Sequence, residues 1–302
     1  MRGIKTLKKA LPGKPDCYFI GLNVVDALAF TALPFEEDKK IRAEHIMVDG
    51  GGPAATAACA AARAGLKSAV VTLLGHDEWT GFALSSFRSF GVDTRFAIIS
   101  DKYKTPLSLI IVNSKNASRT IVWNSQGIND IELPLAPAEF ADIASAPLLH
   151  FDGHMMNFAE KIAPVARAKG ALISYDCGSP KEGWQRLAGH TDFFIASHAL
   201  AEQLDRPVEK LVEELKDRHG FQIAVTAGEK GYYYFDDGKG AVVFVPQKRF
   251  AAVDTTGCGD VFHGAFLAGY KKFGAFRPAL DFAQEFAGRK ALKRGGRAAL
   301  KE

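Results

Sequence analysis

The sequence predicts an α/β domain in which a mainly parallel central sheet is covered by helices on both faces. Short apolar runs alternate with helical stretches from Cys17 onward, which is typical of parallel strands joined by crossover helices. Two glycine-rich segments, 50–52 and 257–259, each lead directly into a helical stretch. Two regions, 27–48 and 105–125, alternate like strands without helices between them, so a small second sheet inserted in the domain is expected.

The elements are predicted from their apolar periodicity. Strands of the central sheet are expected at 18–21, 69–74, 148–151, 171–175, 193–196 and 223–226. Helices are expected near 53–65, 157–169 and 208–219, and another ends near Phe90. Hairpins are expected to join 107–112 to 118–123 and 232–235 to 241–245.

The composition argues against several classes of protein. A formal net charge of +4 over 302 residues, without a dense Lys/Arg run, does not suggest nucleic-acid binding. No apolar run reaches the length of a membrane span, so no membrane partner is expected. The four cysteines are widely separated, which favours reduced thiols and a cytoplasmic location. Residues 1–15 are basic, contain no acid and are expected to form an N-terminal arm.

The segment 254–260, Asp-Thr-Thr-Gly-Cys-Gly-Asp, stands where a loop turns into a helix. The first turn of a helix has amide groups without internal partners and carries partial positive charge. Gly257 and Gly259 have no side chains to obstruct an approaching anion, so the segment suits phosphate binding. Asp260 is a carboxylate beside that anion site, which suits a base that takes a proton near a phosphate. The alternative is a tight turn with a capping aspartate.

The segment 50–56, Gly-Gly-Gly-Pro-Ala-Ala-Thr, is a second glycine loop that feeds a helix. Pro53 suits the first turn of a helix, because its missing N–H has no partner there. Close packing of a small-residue helix against the sheet is also expected of this segment. Asp26 follows the first predicted strand, and in open α/β sheets ligands lie outside the carboxyl ends of strands. Its carboxylate is therefore a candidate acceptor for substrate hydroxyls.

These segments resemble two signatures of the ribokinase-like (PfkB) carbohydrate kinases: 254–260 the C-terminal one and 50–56 the N-terminal one. The resemblance, strongest toward the ketohexokinase and sulfofructose kinase branch, implies a three-layer α/β/α fold. It implies a single kinase domain over 1–302, with a β-lid formed by about 27–48 and 105–125. It also implies ATP and Mg²⁺ as cofactors, and a homodimer formed through the lid.

The resemblance assigns roles to individual residues. Asp260 would be the general base, and the amides of Gly257, Cys258 and Gly259 would complete the anion hole. The sugar would contact Asn23, Asp26, Gly51, Gly52, Thr56 and Arg119. The nucleotide would contact Ser197, Thr226, Gly228, Gly231, Ala287 and Lys290. Ser197 stands where many relatives carry Asn, and the acid that organises Mg²⁺ is missing, so no metal ligand is predicted.

The expected function is ATP-dependent phosphorylation of a small sugar. Asp152 follows another predicted strand and would place an acid near the sugar, which favours a neutral ketose. A nucleoside kinase or a sulfofructose kinase is the alternative within the family. No aromatic wall for a nucleobase is evident in the sequence. A catalytically silent, kinase-shaped sugar sensor is the alternative from another class.

Overall fold

The computed structural model describes residues 5–6, 13–32, 37–124, 127–128 and 132–301. Ten of the fifteen residues of the predicted N-terminal arm therefore lie outside the described residues. So do residues 33–36 and 125 of the predicted lid. No helix in the described ranges is long and apolar enough to cross a membrane.

A large sheet forms the centre of the molecule. Its strands are β1 (Lys5–Thr6), β2 (Cys17–Ile20), β5 (Ser68–Gly75), β6 (Asp93–Ser100), β9 (Leu148–Phe151), β10 (Leu172–Cys177), β11 (Phe193–Ser197), β12 (Gln222–Thr226), β13 (Gly231–Asp236) and β14 (Ala241–Pro246), numbered together with the second sheet below. In the described residues their order is β1-β6-β5-β2-β9-β10-β11-β12-β13-β14. The strands from β6 to β12 in that order run parallel, and β1, β13 and β14 are antiparallel to their neighbours.

Helices cover both faces of this sheet. They are α1 (Pro53–Arg63), α2 (Trp79–Ser89), α3 (Pro137–Ile143), α4 (Met156–Ala168), α5 (Trp184–Ala188), α6 (His198–Gln203), α7 (Val208–His219), α8 (Cys258–Phe273) and α9 (Phe276–Lys290). The two faces bury separate cores, and alternate residues of β2 enter each: Phe19 packs with α1, α2, α8 and α9, whereas Tyr18 and Ile20 pack with α3 to α7. The predicted three-layer α/β/α fold is confirmed.

A second, four-stranded sheet stands apart from the first. It consists of β3 (Val24–Thr31), β4 (His45–Gly51), β7 (Leu107–Asn113) and β8 (Arg119–Asn124), in the order β4-β3-β7-β8. One face buries a small core that includes Leu28 and Ile110. The opposite face exposes Ile46, Leu109 and Val122. The small sheet expected from the alternating regions is therefore present.

The structure also contains elements that the sequence pattern did not predict. Strand β6 is the main one, because its apolar stretch is short and begins only after Asp93, Thr94 and Arg95. Helices α3, α5 and α6 are each only one or two turns long. Short helices carry too little periodicity to be distinguished from loops.

Helices α1 and α8 pack unusually close together. α1 is a run of small residues, and every residue from Ala54 to Ala61 is buried. Gly264 of α8 faces this run, and a Cβ at Gly264 would overlap the backbone carbonyl of Ala57. Only a glycine permits this approach, which places the N-termini of the two helices side by side.

Substituting Gly264→Ala is expected to destabilise the protein, because backbone cannot move away as a flexible side chain could. Overpacking of this kind costs about 1–3 kcal/mol. Gly81→Ala is the matched control, since a Cβ there meets open space on α2. It should raise stability by about 0.5–1 kcal/mol. Equal stability of both variants in denaturant titrations would contradict the close contact.

Candidate active site

The two glycine loops meet at the carboxyl edge of the central sheet. A Cβ built on Gly257 would lie 3.5 Å from Thr56 Cγ2 and 3.5 Å from Gly296 Cα. Gly257 is the N-cap of α8 and Gly52 is the N-cap of α1. Two segments about two hundred residues apart in sequence thus place two helix N-termini against one cleft, which favours negative charge there.

The loop before α8 has the geometry of an anion site. Gly257 adopts φ 71°, which reverses the chain before the helix begins. The amide of Cys258 donates to the Thr255 carbonyl at 3.2 Å, and that of Val261 donates to the Gly257 carbonyl at 2.9 Å. Within the described residues the intervening amides of the first turn have no acceptor. They can therefore donate to a bound phosphate.

Three groups hold this loop from behind. The buried carboxylate of Asp254 accepts hydrogen bonds from the amides of Thr256 and Gly295, both at 2.8 Å. Lys290, at the end of α9, donates from its ammonium group to the carbonyls of Asp254 and Thr256. The Ala291 carbonyl accepts from the amides of residues 253 and 254. The loop is thus fixed before any ligand arrives.

Asp260 lies in the first turn of α8, half-buried at the floor of the cleft. Burial raises its pKa to about 7, and the nearby Asp176 adds to the rise, whereas His263 and Arg119 oppose it. A carboxylate with such a pKa accepts a proton far more readily near neutral pH than an ordinary aspartate does. The site therefore contains a base beside unpaired amides.

A buried Asp–His pair stands directly behind this base. His263 Nε2, one turn further along α8, lies 3.2 Å from Asp176 Oδ1 at the end of β10. Burial opposes ionisation of Asp176, but the adjacent His263 outweighs it and holds the pKa of Asp176 below its ordinary value. His150 packs against His263, and burial lowers the pKa of His150 to about 3. His150 is therefore neutral near pH 7.

Asp26 lies on the inner face of the small sheet and is nearly buried. Ser108 Oγ donates a hydrogen bond to its Oδ1, and burial raises the pKa of Asp26 above its ordinary value. Gly51 lies against the carboxylate so closely that a Cβ there would overlap it. Strand pairing sets Asp49, Asp26, Ser108 and Trp123 in one row across the four strands. Their side chains share the face that looks into the cleft.

Arg297, from the far end of the chain, joins the loop after β2 to the start of α1. Its guanidinium is fully buried and donates to Asn23 Oδ1 at 2.9 Å, Thr56 Oγ1 at 3.3 Å and the Gly51 carbonyl. The amide nitrogen of Asn23 is buried and has no partner among the described residues. Thr56 is thus used by the protein itself, whereas Asn23 retains a donor for a ligand.

Asp152 lies beside the loops that carry Asn23 and Gly52, and backbone amides bind its carboxylate. Its carboxylate accepts from the amides of Leu22 at 2.9 Å, Ala54 at 3.0 Å and His154 at 2.9 Å. These bonds fasten the loop after β2 to the start of α1. Three backbone donors already bind the carboxylate of Asp152, and its effect on an anionic sugar stays a prediction.

The lid hairpin contacts the anion loop. Arg119 Nη1 donates to Thr255 Oγ1 at 2.9 Å, and Thr255 Oγ1 donates in turn to the Ala117 carbonyl at 3.0 Å. Arg119 also lowers the pKa of Asp260, in agreement with a guanidinium that reaches the cleft. The hairpin of β7 and β8 is therefore bonded directly to the anion loop.

The residues predicted for the nucleotide fall into two groups. Ser197 and Thr226 end adjacent parallel strands, and Gly228 and Gly231 follow in the turn after β12. Ala287 is beside the anion loop, where its carbonyl lies 3.7 Å from Cys258 Sγ.

Two details on α9 differ from expectation. The Phe250 ring occupies the space beside Gly288, so this small residue leaves no open space for a base. Lys290 is nearly buried beneath the anion loop. Nucleotide binding stays a prediction for all six residues: Ser197, Thr226, Gly228, Gly231, Ala287 and Lys290.

No cluster of three or more metal-ligating side chains exists in the described ranges. This does not conflict with Mg²⁺ use, because Mg²⁺ in kinases binds mainly to substrate phosphates and water. Among the carboxylates near the anion loop, Asp254 is already bound to backbone amides, whereas Asp260 and Asp176 would fit one or two such contacts.

Several residues of the site were missed by sequence reasoning: Ser108, Trp123, Asp176, His263 and Arg297. None belongs to the glycine loops 50–52 and 257–259, and each reaches the cleft through contacts between distant segments. Arg297 alone carried a local signal, since it follows the glycine pair 295–296 near the end of the chain.

Comparison with known proteins identifies the class of protein. Residues 14–302 match the profile of the pfkB family carbohydrate kinases. The chain belongs to this family, and it is therefore a phosphotransferase of the carbohydrate kinase class. The expected family resemblance is confirmed.

Individual relatives agree with this assignment. A deoxyribokinase of Salmonella typhi is 25% identical over 292 residues, which span 90% of this chain and 91% of the relative. A ketohexokinase of Mus musculus is 25% identical over 91% of this chain and 96% of its own. The solved structure of Arabidopsis thaliana ribokinase complexed with ribose and ATP superposes with a TM-score of 0.79 at 17% identity, covering 95% of this chain and 96% of that one.

Asp260→Asn is expected to reduce turnover by about 10²–10⁴-fold, as removal of a general base does. In the wild-type protein, kcat/KM should rise tenfold per pH unit and level off near pH 7, because Asp260 acts as a base only when ionised. Initial rates of ADP formation between pH 5 and 9 measure both the turnover of the variant and the pH profile of the wild-type protein. A level profile down to pH 5 would remove Asp260 from this role.

The thermal stability of Asp260→Asn serves as a control for its activity. A carboxyl whose folded pKa lies above its unfolded value lowers stability as pH rises from the unfolded pKa of about 4 to the folded pKa of about 7. Asp260→Asn should therefore melt at a higher temperature than wild type at pH 8, and the difference should shrink as the pH falls toward 4. A variant that is less stable at pH 8 has lost activity for structural reasons.

Proposed function

We propose that this protein transfers the γ-phosphate of ATP to a hydroxyl of a small sugar, a ketose or a related compound. The observation that carries the proposal is the convergence of Asp260, the unpaired amides of residues 257, 259 and 260 and the Asp26 row on one cleft. A base, an anion site and a hydroxyl-binding acid are the parts that phosphoryl transfer to a sugar needs.

The chemistry follows from this arrangement. Asp26 and the free amide of Asn23 bind sugar hydroxyls and orient one of them toward Asp260. Asp260 accepts the proton of that hydroxyl as the hydroxyl oxygen attacks the γ-phosphorus, and the bond from the γ-phosphorus to ADP breaks, so that ADP leaves. The amides of the first turn of α8 and the guanidinium of Arg119 stabilise the negative charge on the transferred group. Mg²⁺, when bound with the nucleotide, would offset charge between its phosphates.

The lid contributes by excluding water. Its hairpin contacts the anion loop through Arg119, and its inner face carries Asp26. Water that entered the cleft would compete with the sugar as acceptor, so a closed lid favours transfer over ATP hydrolysis.

A broad acceptor panel tests this function. Purified protein with ATP and Mg²⁺ would be assayed for ADP formation with ketoses, aldoses, anionic sugars and nucleosides. We expect a ketose or a related small sugar to give the highest kcat/KM. Absence of ADP with every acceptor, together with intact sugar binding by calorimetry, would instead support a catalytically silent sugar sensor.

Asp26→Asn is expected to lower kcat/KM for the sugar by about 10–100-fold, because a hydrogen bond to a charged acceptor contributes about 1.5–3 kcal/mol. The KM for ATP should change little, since Asp26 lies on the sugar side of the cleft. Asp217→Asn, an exposed site on α7, is the matched control. An equal loss for both substrates would argue against a sugar-specific role.

A nucleoside kinase is the second candidate, and one observation favours it. Trp123 lies in the same row as Asp26, 56% exposed, and its ring faces His154 edge-on with centroids 6.4 Å apart. These rings supply the aromatic wall that the sequence did not reveal. A nucleoside bound through its ribose at Asp26 would extend its base toward them. The nucleoside arm of the acceptor panel decides between the candidates.

We further propose that two chains associate through the outer face of the small sheet, in a reducing, cytoplasmic setting. That face exposes Ile46 at 70%, Leu109 at 60% and Val122 at 63%, and apolar patches of this kind mark protein interfaces. All four cysteines are free thiols. Light scattering is expected to give twice the mass of one chain, and Leu109→Lys should give the mass of one. A monomeric wild-type protein would contradict the dimer.

A further inference from the structure

Lys290 is a buried cation that no carboxylate neutralises. Its side chain is 3% exposed, and among the described residues no Asp or Glu oxygen lies within 4 Å of its ammonium group. Burial of an unpaired ammonium is costly unless dipoles replace the lost water. Here two backbone carbonyl oxygens replace water by accepting hydrogen bonds from the ammonium group: that of Asp254, at 3.1 Å, and that of Thr256.

The second of these carbonyls belongs to the anion loop itself. In a trans peptide the C=O and the N–H of one unit point in opposite directions. The carbonyl of Thr256 points at Lys290, so the amide of Gly257 in the same peptide unit points away from Lys290. Within the described residues this amide has no acceptor. The ammonium therefore orients and polarises a donor at the entrance to α8.

The position of the charge supports the same reading. Burial raises the pKa of the adjacent Cys258 thiol, and Lys290 opposes that rise. Its positive potential thus reaches the first turn of α8, where the proposed function places the transferred phosphoryl group. An ammonium beneath the amides adds to their partial positive charge without touching the ligand.

We propose that Lys290 is a positioning residue: a built-in monovalent cation that fixes the 256–257 peptide and strengthens the anion site from behind. The proposal rests on the proposed kinase function for its catalytic consequence. It differs from the direct nucleotide contact expected from the sequence, because the ammonium acts through the loop.

The loop has other attachments, so loss of the ammonium should leave the fold intact. Asp254 still accepts from Thr256 and Gly295, and the Ala291 carbonyl still accepts from the amide of Asp254. The expected defect is therefore local. It should fall on turnover more than on the KM for ATP.

Lys290→Met and Lys290→Ala test the proposal by turnover. Met keeps the length of the side chain without its charge, and Ala leaves a space that a small cation can enter. We expect kcat to fall about 10–100-fold, less than the loss of a whole oxyanion donor. In Lys290→Ala, ammonium, methylammonium or potassium chloride should restore at least part of the turnover. The wild-type protein should be indifferent to exchange of sodium for these cations.

Two further measurements complete the test. Lys210→Met, which removes an exposed lysine charge on α7, should behave like wild type. An unchanged kcat with a raised KM for ATP would show a direct nucleotide contact and overturn the proposal. Loss of turnover without cation rescue, together with a lower Tm, would show that Lys290 only stabilises the fold. That result would also overturn the proposal.

A readout without turnover separates this proposal from the kinase function. Crystals of Lys290→Ala grown with rubidium chloride should show anomalous density between the carbonyls of residues 254 and 256. Such density would support the built-in cation even if no acceptor in the panel were phosphorylated. A site without the ion and an unmoved 256–257 peptide would refute it even in an active kinase.

Discussion

The close packing of α1 on α8 is the constraint on which the rest of the site depends. Gly264 allows the helix backbones to touch at Ala57, and this contact sets the two glycine loops side by side. Both helices begin at the carboxyl edge of the sheet, so their partial positive charges add in one place. Asp152 and Asp254 then lock the two loops to the strands and to the C-terminal segment.

The cleft combines two electrostatic demands that conflict. An anion site needs positive potential, yet a base active near neutral pH needs surroundings that disfavour its own negative charge. In the structure, the groups that meet these two demands approach from different directions. Burial, aided by Asp176 on the sheet side, raises the pKa of Asp260 to about 7, while Arg119 and the first-turn amides approach from the small sheet and the helix. A proton acceptor and an anion receptor can thus occupy one helical turn.

Sequence reasoning reached the parts of the fold and site that depend on local patterns. The strands, the two glycine loops, the helix from Cys258 and the small sheet follow from periodicity and turn residues. Asp260 follows from its place in the first turn of α8. These features are encoded within a few residues of one another.

The remaining features depend on contacts between distant segments, which one sequence does not encode locally. Arg297 reaches Asn23 across 274 positions, and Arg119 reaches Thr255 across 136. Asp152 has the position of a ligand-binding acid but is satisfied by backbone amides. Lys290 has the position of a nucleotide contact but is turned beneath the loop. The position of each residue in its motif therefore predicted where the side chain lies. It did not predict which groups the side chain contacts.

The most direct measurement is a crystal structure with the sugar that the protein phosphorylates and a non-hydrolysable ATP analogue. The account predicts that Asp26 binds sugar hydroxyls, and that one further hydroxyl lies about 2.6–3.2 Å from an Asp260 carboxylate oxygen. The γ-phosphate should accept from the amides of 257–260. A γ-phosphate bound away from that loop, or a sugar whose hydroxyls do not approach Asp260, would contradict the central claim.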